Sequence, residues 1–278
     1  MTEPTTLVLG ATGKTGRRVA ARLRLRGAEV RAASRSSATR FDWSDPAGWD
    51  AALEGVTAVW VVPPSVPGPV HEFVTRAEAA GVKHLVLLSG HGADTWGDSP
   101  FGRDMRSAED AVRGSALDWT VLRPANFAQN FDEELWHAPL LAGGLALPAG
   151  AVGEPFVDLE DVADAAVAVL ADPGRHAGQV HELTGPRSIT FAEAVALISR
   201  ASGRPMTYRQ ITPAKYTAAL VDQGVGEEDA HHVAEMFAIM ERGLLAATTD
   251  GVATVLGRPP RAFEEYVVRA AAAGAWER

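Results

Sequence analysis

Short apolar runs recur along the first half of the chain, each followed by a stretch in which apolar residues return every three or four positions. Thr6–Leu9, Glu29–Ala33, Ala58–Val62, His84–Leu88 and Thr120–Leu122 read as strands, and Lys14–Arg26, Pro46–Leu53, Val70–Ala80 and Arg103–Arg113 as the helices between them. Gly27, Gly55, Gly81 and Gly114 stand where helices would end. Strands that alternate with helices predict an α/β, doubly wound parallel sheet with helices on both faces. Past Leu122 the pattern changes. Arg123–Phe131 is polar and aromatic, and Leu141–Gly153 is rich in glycine, alanine and proline, as a mobile loop would be. Phe156–Asp158, a helix over Leu159–Ala171 and a strand at His181–Leu183 resume the alternation. From Thr190 the chain reads as helical, over Phe191–Ser202, Pro213–Val221, Glu227–Ala246 and Phe263–Ala273.

The first strand, Leu7-Val-Leu9, runs into Gly10-Ala-Thr-Gly-Lys-Thr-Gly16 and then a helix. This G-x-x-G-x-x-G turn has one residue more than the G-x-G-x-x-G of most dinucleotide folds. A glycine at the turn permits positive φ, and another lets the backbone approach a pyrophosphate at the helix N-terminus. Gly16 would let the helix pack closely on the strand. An ordinary glycine-rich turn has the same pattern, so the residues after the other strands are needed to distinguish the two. The reading expects a Rossmann-type core over 1–125, completed by about 156–183. Residues 126–155 and 184–278 would form a smaller, mainly helical substrate lobe.

In such a sheet ligands bind beyond the carboxyl ends of the strands. Gly10, Thr12, Gly13, Lys14, Thr15 and Gly16 are therefore expected on the cofactor's pyrophosphate side. After the second strand come Ser34, Arg35 and Ser36, with no acid to bond a ribose 2′-hydroxyl. An arginine there accommodates a 2′-phosphate, which favours NADP(H). Asp42 and Trp43 fall where a short third strand would end, with Asp42 either accepting from an adenine amino group or capping the helix at Pro46. Val62-Pro63-Pro64 would wall a ribose site. Ser89-Gly90-His91 ends the fifth strand and is not a nucleophile elbow, because position 87 is leucine.

The chain has 278 residues, 46% of them hydrophobic, enough for a substantial core, and no cysteine, which leaves no thiol nucleophile. No signal-peptide pattern opens it and no apolar run reaches the ~20 residues of a membrane span. The expectation is a cytoplasmic protein with no membrane association. A net charge of −9 argues against a nucleic-acid partner. Lys14 to Arg40 nevertheless carries nine basic residues and one acid, a window of +8 that leaves −17 for the rest. This field suits an anionic cofactor, although most of these arginines read as a solvated face of the first helix. The sequence says nothing of oligomeric state.

The turn Gly10–Gly16, the group Leu122-Arg123-Pro124 with Asn126-Phe127, the segment Pro155–Asp164 and the tail Leu256–Phe263 resemble the NmrA-like branch of the atypical short-chain dehydrogenases/reductases over nearly the whole chain. The Gly-Lys-Thr-Gly turn and Ala33–Ser37 are similar to the festuclavine and agroclavine dehydrogenases and to small quinone reductases. The resemblance implies cofactor contacts at Pro124, Ala125 and Phe127 and a small-molecule substrate. It equally admits a non-catalytic NADP(H)-sensing regulatory protein, because the branch contains such members.

One departure bears on chemistry. The wider superfamily uses a Tyr-x-x-x-Lys pair, whose tyrosine protonates a carbonyl oxygen. Here Tyr208, Tyr216 and Tyr266 are followed four positions on by Thr212, Leu220 and Ala270, and the lysines are Lys14, Lys83 and Lys215. No lysine completes the pair. An iminium carbon needs no acid on accepting hydride, and a quinone gives a stabilised phenolate, so the expected substrate is an electron-poor, cyclic or aromatic acceptor. His91 and Asn126 are the catalytic candidates, His91 as an auxiliary donor or simply a loop histidine bonded to backbone. Asn126, Phe127, Gln129, Asn130 and Trp136 are read as a substrate-pocket loop; Trp96, Met236, Phe237 and Met240 could line the pocket or belong to the core. Glu160, Asp161 and Asp164 read as an acidic helix start that complements the helix dipole. No histidine spacing fits a metal site.

Overall fold

The fold is that of a computed structural model, which describes residues 4–66 and 68–277. In chain order its elements are β1 (Thr5–Leu9), α1 (Lys14–Leu25), β2 (Glu29–Ser34), β3 (Thr39–Arg40), α2 (Trp49–Leu53), β4 (Val56–Val61), α3 (Pro69–Ala79), β5 (His84–Leu88), α4 (Pro100–Arg113) and β6 (Asp118–Pro124). There follow α5 (His137–Leu141), β7 (Gly144–Leu147), α6 (Leu159–Ala171), α7 (Pro173–His176), β8 (Gln179–Leu183), α8 (Phe191–Ser202) and β9 (Thr207–Gln210). The chain closes with α9 (Pro213–Asp222), α10 (Glu227–Glu241), α11 (Gly251–Leu256) and α12 (Phe263–Ala272). Seven parallel strands form one sheet in the order β3-β2-β1-β4-β5-β6-β8, a Rossmann-like doubly wound topology. The order reverses between β1 and β4, which opens a crevice at their carboxyl ends.

Strand alternation divides the core. Leu7 and Leu9 face one side of the sheet, with Val59, Val61, Leu85 and Leu87, against α2, α3 and α4. Val8 faces the other, with Trp60, Val86 and Leu122, against α1, α6 and α11. A third apolar cluster lies beyond the sheet, where Phe131, Trp136, Phe156, Phe191, Phe263 and Trp276 pack together.

Several expectations need correction. Leu141–Gly153 is not a featureless mobile loop, since β7 lies within it and pairs in parallel with β9. Phe156–Asp158 contributes only an isolated bridge from Val157 to Phe127. The helix expected to reach Ala246 stops at Glu241, and Gly243 follows with φ of 75°. Conversely α4 starts at Pro100 rather than Arg103, because Ser99 caps it through its bond to Gly102 N–H at 3.1 Å and Pro100 takes the first turn.

The arginine face of α1 is only partly solvated: Arg17, Arg24 and Arg26 are exposed, but Arg18 and Arg22 are not. Arg18 Nε donates to Glu160 at 2.8 Å and Arg22 Nε to Asp164 at 2.7 Å, which ties α1 to α6, and Arg17 and Arg18 both bond Glu133. Burial would lower the pKa of Arg18 and Arg22, but their carboxylate partners outweigh it and raise both. The acids of α6 therefore hold arginines, including Arg258 on the fully buried Asp161 at 2.7 Å, and the cap of α6 is Asp158, which accepts from Glu160 N–H at 2.9 Å. Among the described residues no helix is long and apolar enough to cross a membrane.

Candidate functional site

A cleft of about 790 Å³ lies over the carboxyl ends of β1, β2 and β4. Gly10, at φ of 63°, makes the turn after β1, and Gly13 N–H bonds the Gly10 carbonyl at 2.8 Å. A Cβ on Gly16 would collide with that same carbonyl, so Gly16 sets how closely α1 approaches the strand. Gly13 caps α1 with no side-chain bond, and the first turn contains no acid. The N-terminal amides thus have no competing side-chain carboxylate, as an anion would require. Thr12, Lys14 and Thr15 line the cleft beside them.

At the far end stand Ser34, Arg35 and Ser36. The Ser34 hydroxyl pairs with Ser37 at 2.7 Å and accepts Ser36 N–H at 3.2 Å, which shapes the loop. Arg35 is exposed and forms no hydrogen bond or ion pair among the described residues. Asp42 lines the cleft, and its carboxylate accepts the Ser44 N–H at 2.9 Å and hydroxyl at 2.7 Å. It does not cap the short helical turn at Pro46, whose cap position is Asp45. Those Ser44 bonds hold Asp42 below the usual carboxylate range, with Arg35 and Arg40 adding to the effect. Trp43 packs edge-on to Phe41 at 5.0 Å and donates to the Val62 carbonyl at 3.0 Å, so its indole, Val62, Pro63 and Pro64 form one wall.

Lys14, Val62, Pro63, Leu88 and Phe127 also line a second, smaller cavity of about 280 Å³ beyond β5 and β6. Lys14 stands at the junction, with Nζ 5.2 Å from the Phe127 ring centroid, 2.5 Å from Asn130 Oδ1 and 2.7 Å from Glu134. Ser89, Gly90, His91, Pro124, Ala125 and Asn126 form the floor. Trp96, Phe101, Met105, Met236 and Leu245 supply apolar walls. Every anticipated site residue except Gly16, which lies beneath the turn, therefore lines one or both cavities. Trp136, Phe237 and Met240 do not line this cavity and are buried in the third cluster. Gln129 is structural, bonding Asp158 and Leu159 N–H, each at 2.8 Å.

Charges below the floor are tightly paired. His91 is not bonded to backbone through its ring, since Nδ1 lies 2.6 Å from Glu182, which also accepts Gly92 N–H at 3.1 Å and Arg123 at 3.1 Å. Burial would raise Glu182, and these three donors outweigh it and hold it low. Arg123 is buried with Glu109, bonding it at 2.6 and 2.8 Å, and the Ser89 hydroxyl donates to the same carboxylate at 2.5 Å. Ser89 is thus held by Glu109 below the cavity.

One residue that the sequence reading missed is Glu154. It is 3% exposed, lines the cavity, and among the described residues accepts the Asn126 N–H at 3.3 Å. Burial pushes its carboxyl up to about 7, against the pull of hydrogen bonds from Asn126. A signal existed: Glu154 is the only charged side chain between Leu141 and Val157.

Comparison with known proteins agrees with this geometry. Residues 10–173, more than half of the chain, match the NAD(P)H-binding family. The chain belongs to that family. An NAD(P)H azoreductase of Xenophilus azovorans is 34% identical across 96% of this chain and 98% of its own. Agroclavine dehydrogenase of Claviceps fusiformis is 29% identical across 95% and 96%. The NADPH-dependent quinone oxidoreductase of Escherichia coli, solved with NADPH, matches with a TM-score of 0.81 at 25% identity over 95% of this chain and 99% of that one. The resemblance to the festuclavine and agroclavine dehydrogenases and to small quinone reductases, drawn from the sequence motifs, holds, and the negative transcriptional regulator NmrA shares the fold with a TM-score of 0.75.

Proposed function

We propose that this NAD(P)H-dependent oxidoreductase uses NADPH to reduce an electron-poor, cyclic or aromatic small molecule of the quinone or iminium class without a Tyr-x-x-x-Lys pair. The open α1 terminus, with Gly10, Thr12, Gly13, Lys14 and Thr15, suits the pyrophosphate, and Ser34, Arg35 and Ser36 suit a 2′-phosphate. Asp42 and Trp43 would flank the adenine, and Val62, Pro63 and Pro64 the ribose. A bound NADPH supplies hydride. The protein would hold the acceptor against it, with proximity in a largely apolar cavity contributing most of the acceleration.

The observation that carries this reading is the small cavity, which shares Lys14 and Phe127 with the dinucleotide cleft and has no tyrosine in its wall. Residues 126–155 and 184–278 would act as the substrate lobe, since Asn126, Leu135, Glu154, Met236 and Leu245 all come from those segments. The experiment is acceptor-dependent NADPH oxidation across quinones, cyclic iminium ions and simple aldehydes. Turnover of the first two well above the third is expected. A silent panel, together with a protein partner whose binding follows the NADP redox state, would replace the enzyme by a sensor.

A further inference from the structure

We propose that Glu154, buried in the cavity wall without an ion-pair partner among the described residues, is the proton donor for quinone reduction in this protein. The inference rests on the reductase reading and identifies a donor that the missing tyrosine leaves unassigned. Three observations support it. The side chain is 3% exposed, yet lines the cavity where the acceptor would sit. Its backbone is pinned by paired bonds with Ile189, N–H to O at 2.8 and 3.1 Å, which fixes where its side chain leaves the main chain. Among the described residues no lysine or arginine reaches it, and the hydrogen bond it accepts comes from the Asn126 N–H, so no ion pair compensates a buried negative charge. The contrast with the other carboxylates nearby is sharp: Glu109 and Glu182 are each bonded to Arg123, and Glu182 to His91 as well.

The chemistry balances. Hydride from a dihydronicotinamide brings two electrons and one hydrogen to the quinone, which becomes a hydroquinone monoanion. The O–H bond of Glu154 breaks, its proton forms the second hydroquinone O–H, and the carboxylate left behind regains a proton from solvent before the next turnover. His91, with Nδ1 against Glu182, lines the same cavity.

The test compares wild type with Glu154→Gln, which keeps an oxygen acceptor for Asn126 N–H and removes the acid. A positioned acid contributes about 10²–10⁴-fold, so kcat on a benzoquinone should fall at least about 10²-fold with NADPH affinity retained. On a cyclic iminium the loss should be at least about tenfold smaller, since that product needs no proton. Wild-type kcat on the quinone should decline as pH rises through about 7, and the Gln variant should lose that limb. Independently of turnover, infrared difference titration of the cofactor-free protein should show a protonated-carboxyl band that titrates near neutrality and is missing in Glu154→Gln. Quinone turnover in the variant within threefold of wild type, or a band that titrates like an exposed carboxylate, overturns the proposal while leaving the reductase reading intact. A wild type silent on every acceptor overturns both, with the infrared band then reporting only a buried acid.

Discussion

The two cavities meet at Lys14 and Phe127 but are built differently. The larger cleft takes nearly all its residues from the turns after β1, β2, β3 and β4, each a few residues long, and Thr12, Arg35 and Ser36 in it are exposed. The smaller cavity gathers residues from Lys14 to Leu245, and beneath its floor Arg123, Glu109 and Glu182 are paired with one another whereas Glu154 in its wall is not ion-paired among the described residues. On the proposed reading, cofactor recognition would depend on local backbone geometry, whereas the reaction chamber would depend on the assembly of the whole chain. Substitutions should separate the two.

The largest expected effect lies beneath the chamber. Arg123→Met would strand the buried Glu109 and loosen Glu182, and breaking a buried ion pair from one side costs about 3–5 kcal/mol. Chemical denaturation should show the unfolding free energy falling by that amount. A loss under about 1 kcal/mol would mean that the network is dispensable and the contrast between the cavities is weaker than described.

Within the cleft, Gly16→Ala forces a methyl into the Gly10 carbonyl and so displaces α1 from the turn. NADPH affinity, measured by fluorescence titration, should fall by about 10²-fold, which corresponds to about 2.7 kcal/mol. Retention of affinity within a few fold would disprove the close-approach account.

The scaffold common to both should weaken in acid. His84 is buried with Nε2 3.1 Å from Thr120, and burial pushes its pKa down to about 4 from an ordinary 6.5. The unfolded imidazole takes a proton below about 6.5 while the folded one stays neutral until about 4. Stability is therefore full above pH 6.5 and should drop by about 2 kcal/mol by pH 5 from this group alone. Burial also lowers the neighbouring His176 and His181, in the same direction. His84→Leu should flatten the dependence between pH 6.5 and 5, and an unchanged slope would place the acid sensitivity elsewhere.

The smallest effect sharpens the cofactor reading. Arg35→Ala should weaken NADPH about tenfold and leave NADH untouched, because a single exposed arginine meets only the 2′-phosphate. Equal changes in both cofactors would remove the NADP preference.

Much of the cleft was legible along the chain because its determinants are sequential. Gly10, Gly13 and Gly16 announce a turn by their missing side chains, and Ser34–Ser36 follow a strand whose end is marked by the loss of apolar residues. The parallel sheet was legible for a similar reason, since its buried strands are short apolar runs broken by glycine. Other features depend on distant partners. Arg18 and Arg22 of α1 looked solvated until α6 brought Glu160 and Asp164 against them from more than a hundred residues away. Likewise β7 and β9 are weakly patterned strands whose pairing with each other supplies their order. Glu154 was visible as a lone acid in an apolar segment, but its chemistry depends on burial and on which charges stay away from it. Sequence by itself determined the turn, the strand order's alternation and the missing tyrosine–lysine pair, all properties of neighbouring residues. Tertiary structure alone decided which carboxylates meet an arginine and which is left facing the cavity, because solvation and charge pairing are set by neighbours in space.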